Sequence, residues 1–265
     1  MSPPMPSAAP EHLPVVYLLS GLLCDETVWS HQIGALSATH DVRARDFRDF
    51  DDIGAMAQSV LQEAPARFAL VGHSLGGRVA LEIVRRAPER VERLALLDTG
   101  VHPTRQSEFA TRQLLVDLAY AEGMGALAQR WLPPMVHPDR LTDAALMDQL
   151  TAMVMRMTPE SHERQIRALL NRPDAETGLG DIACPVLLGV GEQDAWSPPA
   201  QHEAMATRIR DAHLVVFPHS GHMSPCEAPE AVTAALRAWL AQPVTGTGSE
   251  RNTSSTGSMN SAAIL

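Results

Sequence analysis

Short apolar runs alternate with longer amphipathic segments along most of the chain. Each run ends in glycine or a polar residue, and the runs lie at 15–21, 66–74, 91–100, 184–194 and 213–222. Continuous apolar runs of this kind are typical of strands buried on both faces of a parallel sheet. A weaker strand is predicted at 40–47, so the pattern predicts about six strands.

The segments between these runs have helical periodicity. In 76–91, one apolar stripe is formed by Val79, Ala80, Ile83 and Val84. This stripe predicts an amphipathic helix that packs on the sheet. The segments 51–64 and 229–242 predict further helices, the second with proline at its start. Strands that alternate with helices predict an α/β fold whose sheet is mostly or wholly parallel.

One interval, 101–180, lacks any strand-like run. Its leucines, tryptophan and methionines follow helical spacing, and it contains six of the twelve methionines. We predict an insertion of three or four helices that forms a cap on the core. The methionines either fill the interior of this cap or line a substrate surface, and the first interpretation is favoured.

The composition at both ends differs from the rest of the chain. The N-terminal 1–14 is proline-rich, and 243–265 is rich in Ser, Thr, Gly and Asn. Such segments bury too little apolar surface to offset their ordering entropy. We therefore predict a flexible N-terminus (1–14), a core (15–100 and 181–242), a helical cap (101–180) and a disordered C-terminal tail (243–265).

Charge and cysteine content exclude several classes of function. The chain of 265 residues has a net charge of −10, and all of its basic residues are arginines without any run. This argues against nucleic acid as a partner. Three cysteines without C-x-x-C spacing argue against a disulfide framework or a zinc site, and predict a cytoplasmic protein. No apolar stretch approaches the roughly 20 residues of a membrane-spanning helix.

The most informative segment is Gly72-His73-Ser74-Leu75-Gly76-Gly77. It matches G-x-S-x-G and lies between a predicted strand and a predicted helix, which is the context that a nucleophile elbow requires. A serine in this turn lies above the carboxyl end of its strand. The N–H groups at the start of the next helix can then stabilise negative charge beside it.

A serine nucleophile needs a base and an acid that orients the base. His222 follows the last predicted strand, and Asp194 follows the strand before it. The carboxyl ends of parallel strands lie along the same side of the sheet, so all three side chains are expected there. Asp98 is the alternative acid. If it is not the acid, we expect it to be a helix-capping residue or to hold the helical insertion on the core. His219 and His222 resemble a metal pair, but no third ligand accompanies them, so no metal is expected.

These motifs resemble the α/β-hydrolase superfamily, in particular its small bacterial esterase and enol-lactonase-like branch. The resemblance runs through 15–242 and implies Ser74 as nucleophile, Asp194 as acid and His222 as base. It also implies an oxyanion hole formed by the backbone N–H groups of Leu22 and Leu75. Ser-Gly-Leu-Leu replaces the usual His-Gly after the first strand. Because the first predicted strand begins at residue 15, we also expect no antiparallel strand pair before it.

The sequence therefore predicts a serine hydrolase that cleaves a carboxylic ester through an acyl-enzyme, without a cofactor. Arg78 is expected on a solvated helix face, and the arginines of the predicted cap are scattered. Because the cap has no cluster of basic residues, the sequence favours a small to medium, mainly apolar substrate. Candidate pocket residues are Leu23, Trp131, Trp196 and Met223. A thioesterase, a C–C bond hydrolase and a non-catalytic ligand binder remain open alternatives, as does the oligomeric state.

Overall fold

The computed structural model describes residues 13–243 and contains six strands in one sheet. They are β1 (Val15–Leu19), β2 (Asp41–Arg45), β3 (Phe68–His73), β4 (Val91–Leu97), β5 (Val186–Gly191) and β6 (Ala212–Phe217). Their order is β2-β1-β3-β4-β5-β6, and every neighbouring pair is parallel. The predicted all-parallel six-stranded sheet is confirmed. The predicted flexible N-terminus and disordered tail lie outside the described residues, apart from 13–14 and 243.

Burial explains why one strand gave a weaker sequence pattern. Every residue of β3 and β5 is buried, because these strands have a neighbour on each side and helices above and below. The edge strand β2 is half-buried along its whole length, and it carries alternating polar residues. An edge strand faces water, so a continuous apolar run is not required there.

Helices cover the sheet and connect its strands. They are α1 (Ser30–Leu36), α2 (Ile53–Glu63), α3 (Leu75–Arg86), α7 (Pro199–Ala206), α8 (Ser224–Glu227) and α9 (Pro229–Leu240). Helix α3 packs against β1, β3 and β4 in the middle of the sheet, whereas α1 packs against α9. Within residues 13–243, none of the helices has the length and apolar character that crossing a bilayer requires.

The helical insertion lies between β4 and β5, as predicted. It contains α4 (Gln106–Trp131), α5 (Ala144–Met155) and α6 (Pro159–Leu170), and α4 packs against both of the others. Gly123, with φ of 84°, interrupts α4 and divides it into two helical segments. Four of the six cap methionines are internal: Met124, Met135, Met153 and Met157 are buried in the core cluster. This agrees with the interpretation that they fill the cap.

Candidate active site

The turn between β3 and α3 holds Ser74 in a strained conformation. Its φ and ψ angles are 53° and −113°, in a region that residues other than glycine rarely adopt. Two glycines allow this sharp turn. A Cβ on Gly72 would lie 2.4 Å from the Gly76 carbonyl oxygen, and a Cβ on Gly76 would lie 2.1 Å from that of Leu19. The chain passes so closely here that any side chain would displace the elbow.

A continuous hydrogen-bond chain joins the three predicted residues. His222 Nε2 lies 2.8 Å from Ser74 Oγ, and His222 Nδ1 lies 2.8 Å from Asp194 Oδ2. Asp194 and His222 are buried, whereas Ser74 is partly exposed at the end of its strand. The carboxyl ends of the parallel strands therefore bring together side chains that lie up to 148 positions apart in the sequence.

Asp194 is held as an anion beside the histidine. Burial would raise its pKa, but the charge of His222 and hydrogen bonds from His222 and from the backbone N–H groups of Ser197 and Trp196 lower it below its ordinary value. Those two N–H groups donate to Oδ1 at 3.0 and 2.8 Å, which leaves Oδ2 for His222. The carboxylate is thus fixed in position to orient the imidazole.

Asp98, the alternative acid, has a different set of partners. Its Oδ1 accepts a hydrogen bond from the Gly191 N–H at 2.8 Å, and its Oδ2 accepts one from the hydroxyl of Ser224. Asp98 therefore ties β4 to β5 and to α8, and it is neither a helix cap nor a cap anchor. Burial and the nearby Asp194 raise its pKa well above the ordinary value.

His73, inside the elbow, is a buried neutral residue. Its Nε2 donates to the backbone oxygen of His222 at 2.8 Å, which supports the loop that carries His222. Burial and the nearby His222 lower the pKa of His73 to about 3. Its Nε2 also lies 3.9 Å from Asp98 Oδ2, but with His73 neutral and the pKa of Asp98 raised, the two form no ion pair.

Leu22 and Leu75 line the space beside Ser74, and each has a backbone N–H group. Leu75 is the first residue of α3, where an N–H has no partner within the helix. In the loop after β1, the Leu23 N–H donates to Gln165 Oε1 at 2.9 Å, whereas among residues 13–243 the Leu22 N–H has no acceptor. Of Leu22 and Leu23, Leu22 is therefore the one whose N–H has no acceptor among the described residues, and its role in an oxyanion hole stays a prediction.

Comparison with known proteins identifies the family. The model of a family described as "Alpha/beta hydrolase family" matches residues 8–235. The chain belongs to the alpha/beta hydrolase family. It is 26% identical over 234 residues to the pimeloyl-[acyl-carrier protein] methyl ester esterase of Nitrosomonas europaea, covering 82% of this chain and 92% of that protein.

Solved structures agree with this assignment. A malate-bound thermophilic esterase from Thermogutta terrifontis is 28% identical with a TM-score of 0.77, over 86% of this chain and 89% of the esterase. The enol-lactonase from Burkholderia xenovorans LB400 is 24% identical with a TM-score of 0.80, over 88% and 93% of the two chains. At this lower identity the enol-lactonase supports the fold alone.

The hydrolase has a cavity of about 330 Å³ between core and cap, and Ser74 and His222 line it. Three of the four predicted pocket residues also line it: Trp131, Trp196 and Met223. Leu23 does not. Its side chain is fully buried in the core cluster, and its backbone with φ of 58° turns away into the bond with Gln165.

The cap also brings arginines to this cavity, which the sequence interpretation did not anticipate. Arg78, expected on a solvated helix face, lines the cavity together with Arg105, Arg112 and Arg172. By contrast, Arg85 and Arg86, also on α3, pair with the buried carboxylate of Glu82. The expectation of scattered cap arginines is therefore wrong for Arg105 and Arg112.

Proposed function

We propose that this hydrolase is a serine carboxylesterase that cleaves an ester of a small to medium substrate through an acyl-enzyme. The observation that carries the proposal is the chain of two 2.8 Å hydrogen bonds from Asp194 through His222 to Ser74. It is supported by the two N–H groups beside Ser74 and by the esterases among the similar proteins.

The geometry defines a role for each group. His222 accepts the Ser74 proton at Nε2 as Oγ attacks the ester carbonyl, while Asp194 stabilises the imidazolium through Nδ1. The N–H groups of Leu22 and Leu75 stabilise the oxyanion. The alcohol then leaves with the proton from His222, and Ser74 carries the acyl group. A water molecule, deprotonated by His222, releases the acid and restores Ser74.

The cavity walls support an apolar component in the substrate. Side chains from the cap and the core contribute apolar surface next to the nucleophile, among them Trp131, Met135, Ile166 and Leu169. Removing a short acyl or aryl group from water against such a surface favours binding. The volume of about 330 Å³ lies at the lower end of the range for small-molecule sites.

The test is hydrolysis of p-nitrophenyl esters, from acetate to decanoate, by the wild type and by Ser74→Ala. We expect turnover by the wild type and a loss of about 10³-fold or more in the variant, because among residues 13–243 Ser74 has the only hydroxyl that is hydrogen-bonded to His222 Nε2. Ser37→Ala is the matched control, since Ser37 is exposed at the end of α1, remote from the cavity, and should leave turnover unchanged.

Further substrates separate the remaining alternatives. Faster turnover of a matched thioester would assign a thioesterase, and cleavage of a carbon-linked analogue would assign a C–C bond hydrolase. Wild-type turnover that persists in Ser74→Ala would contradict the proposed nucleophile. No turnover by the wild type on any of these compounds would contradict the esterase proposal and favour a ligand binder.

A further inference from the structure

One wall of the cavity beside Ser74 is strongly basic. Four arginines line this cavity, whereas Glu108 is the only carboxylate among its lining residues. These are Arg78 from α3, Arg105 and Arg112 from the start of α4, and Arg172 just after α6. A net positive wall in an otherwise apolar cavity is costly unless an anion faces it.

Two of the arginines share the carboxylate of Glu108. Arg172 donates to Oε1 and Oε2 of Glu108 at 2.5 and 2.9 Å, and Arg112 donates to Oε2 at 3.0 Å. The Arg172 side chain is only 1% exposed, and all three of its guanidinium nitrogens also donate to backbone carbonyl oxygens. The single carboxylate of Glu108 is therefore committed to this pair.

Arg78 has no such partner. One of its nitrogens, Nη1, donates to the His102 carbonyl oxygen at 3.2 Å, and within residues 13–243 no carboxylate oxygen lies within 4.0 Å of its guanidinium. Burial, together with the charges of Arg172 and Arg112, lowers the pKa of Arg78 to about 9. Arg78 thus remains a cation at neutral pH, in surroundings that disfavour its charge.

Other nearby groups do not supply the missing charge. Burial lowers the pKa of His102 to about 4, so this histidine is neutral and adds neither cation nor anion. Arg105 is exposed at the rim, where water solvates it. Within residues 13–243, Arg78 is therefore the one cavity-lining guanidinium that is partly buried and has no carboxylate partner.

The position of Arg78 relates it to the reaction. It lies four residues after Ser74, and its backbone N–H donates to the Ser74 carbonyl oxygen at 3.3 Å. Both residues line the same cavity of about 330 Å³. A carboxylate bound by Arg78 therefore lies in the same small cavity as the reacting carbonyl.

We propose that the substrate carries a second carboxylate, which is not cleaved, and that Arg78 binds it. This inference rests on the proposed esterase function. A planar guanidinium matches a carboxylate in two parallel hydrogen bonds, and Arg78 is a guanidinium without a carboxylate partner among residues 13–243. The substrate class is therefore a short ester acid, with the free carboxylate on either the acyl or the alcohol side.

The experiment compares each ester acid with its neutral amide of the same shape. Monomethyl succinate, glutarate and adipate are paired with the corresponding methyl ester amides for the acyl side. The acetyl esters of 3-hydroxypropanoate and 4-hydroxybutanoate are paired with their amides for the alcohol side. We expect the wild type to have a higher kcat/KM for the carboxylate than for the amide in at least one of the two series.

Arg78→Gln should lower kcat/KM for the carboxylate esters by about 10–100-fold, mainly through KM, and leave the amide esters within about threefold. Arg78→Lys should restore part of the loss, because it keeps the charge but not the planar geometry. Arg130→Gln is the matched control: Arg130 is exposed on the same cap helix as Arg112 and lies outside the cavity, so it should behave as the wild type.

Three results would overturn the inference. One is a wild type that cleaves the amides as well as the carboxylates, and another is an Arg78→Gln variant that loses both classes equally. The third is a failure of Ser74→Ala to bind glutarate or adipate in calorimetry, which tests the anion site without turnover. We expect binding that Arg78→Gln abolishes in the same background, and no binding of either acid would contradict the proposal. Neutral p-nitrophenyl esters report separately on the esterase function.

Discussion

Gln165 of the cap accepts a hydrogen bond at 2.9 Å from the backbone N–H of Leu23, in the loop that follows β1. Both residues are fully buried. The bond connects α6 to the loop that presents the Leu22 N–H, and it holds Leu23 at a φ of 58°. A cap residue therefore positions one half of the proposed oxyanion hole.

Gln165→Ala should lower kcat about tenfold with little change in KM, because the loop no longer holds the Leu22 N–H at the oxyanion. It also leaves the Leu23 N–H buried without an acceptor, which costs about 1–3 kcal/mol in the free energy of unfolding. Steady-state kinetics and urea unfolding measure the two effects. Gln113→Ala, at an exposed position of α4, is the control. A loss of stability with unchanged kcat would mean that Gln165 has no influence on the oxyanion.

Asp194→Asn should reduce kcat by about 10³–10⁴-fold, because an amide no longer selects the histidine tautomer or stabilises its charged form. Asp98→Asn should keep most of the activity, since Asp98 bonds to Gly191 and Ser224 and has no contact with His222 among the described hydrogen bonds. Both variants are measured on the same ester. Substantial activity in Asp194→Asn that disappears in the double variant would show that Asp98 replaces the acid.

Asp98 should make folding stability depend on pH. Its pKa is raised by burial and by Asp194, so the folded chain retains a proton that the unfolded chain releases above about pH 4. Stability of the wild type is therefore lost as pH rises through this window. Asp98→Asn lacks this proton, and its unfolding free energy relative to the wild type should increase from pH 4 to pH 7.

Urea unfolding at several pH values measures this difference. The amide preserves both hydrogen bonds, since it accepts from Gly191 and donates to Ser224. Asp148→Asn, exposed on α5, is the control and should show a constant difference. A difference for Asp98→Asn that does not change with pH would contradict a raised pKa.

Glu108→Gln should destabilise the cap by about 2 kcal/mol at pH 7, because the buried guanidinium of Arg172 loses its charged partner. Burial opposes ionisation of Glu108, but hydrogen bonds from Arg172, the Arg105 backbone and Arg112 outweigh this and lower its pKa to about 2. The stabilisation is therefore present above the unfolded pKa of about 4.3 and is lost as pH falls toward 2.

Thermal unfolding at pH 7 and pH 3 tests this, with Glu122→Gln, exposed on α4, as the control. The loss of thermal stability in Glu108→Gln relative to the wild type should be smaller at pH 3 than at pH 7. An equal deficit at both would mean that packing, and not charge, accounts for the effect.

The sequence alone predicted the sheet, the elbow and the order of Ser74, Asp194 and His222. Each depends on local signals: an apolar run for a buried strand, glycines where the backbone is crowded, and polar residues directly after strands. Parallel connectivity then brings the strand ends to one edge, so the geometry of the three residues follows from topology.

The basic wall and the Gln165 contact were decided only by the tertiary structure. Arg78 is on a core helix, while Arg112 and Arg172 belong to the cap, and none of the three has a local pattern that distinguishes it from a solvated arginine. Whether such a charge meets water, a carboxylate or a cavity depends on which helix packs over it. That packing is set by the whole apolar core, because burial of apolar surface is non-directional. The sequence around an individual polar residue therefore does not show which helix will cover it.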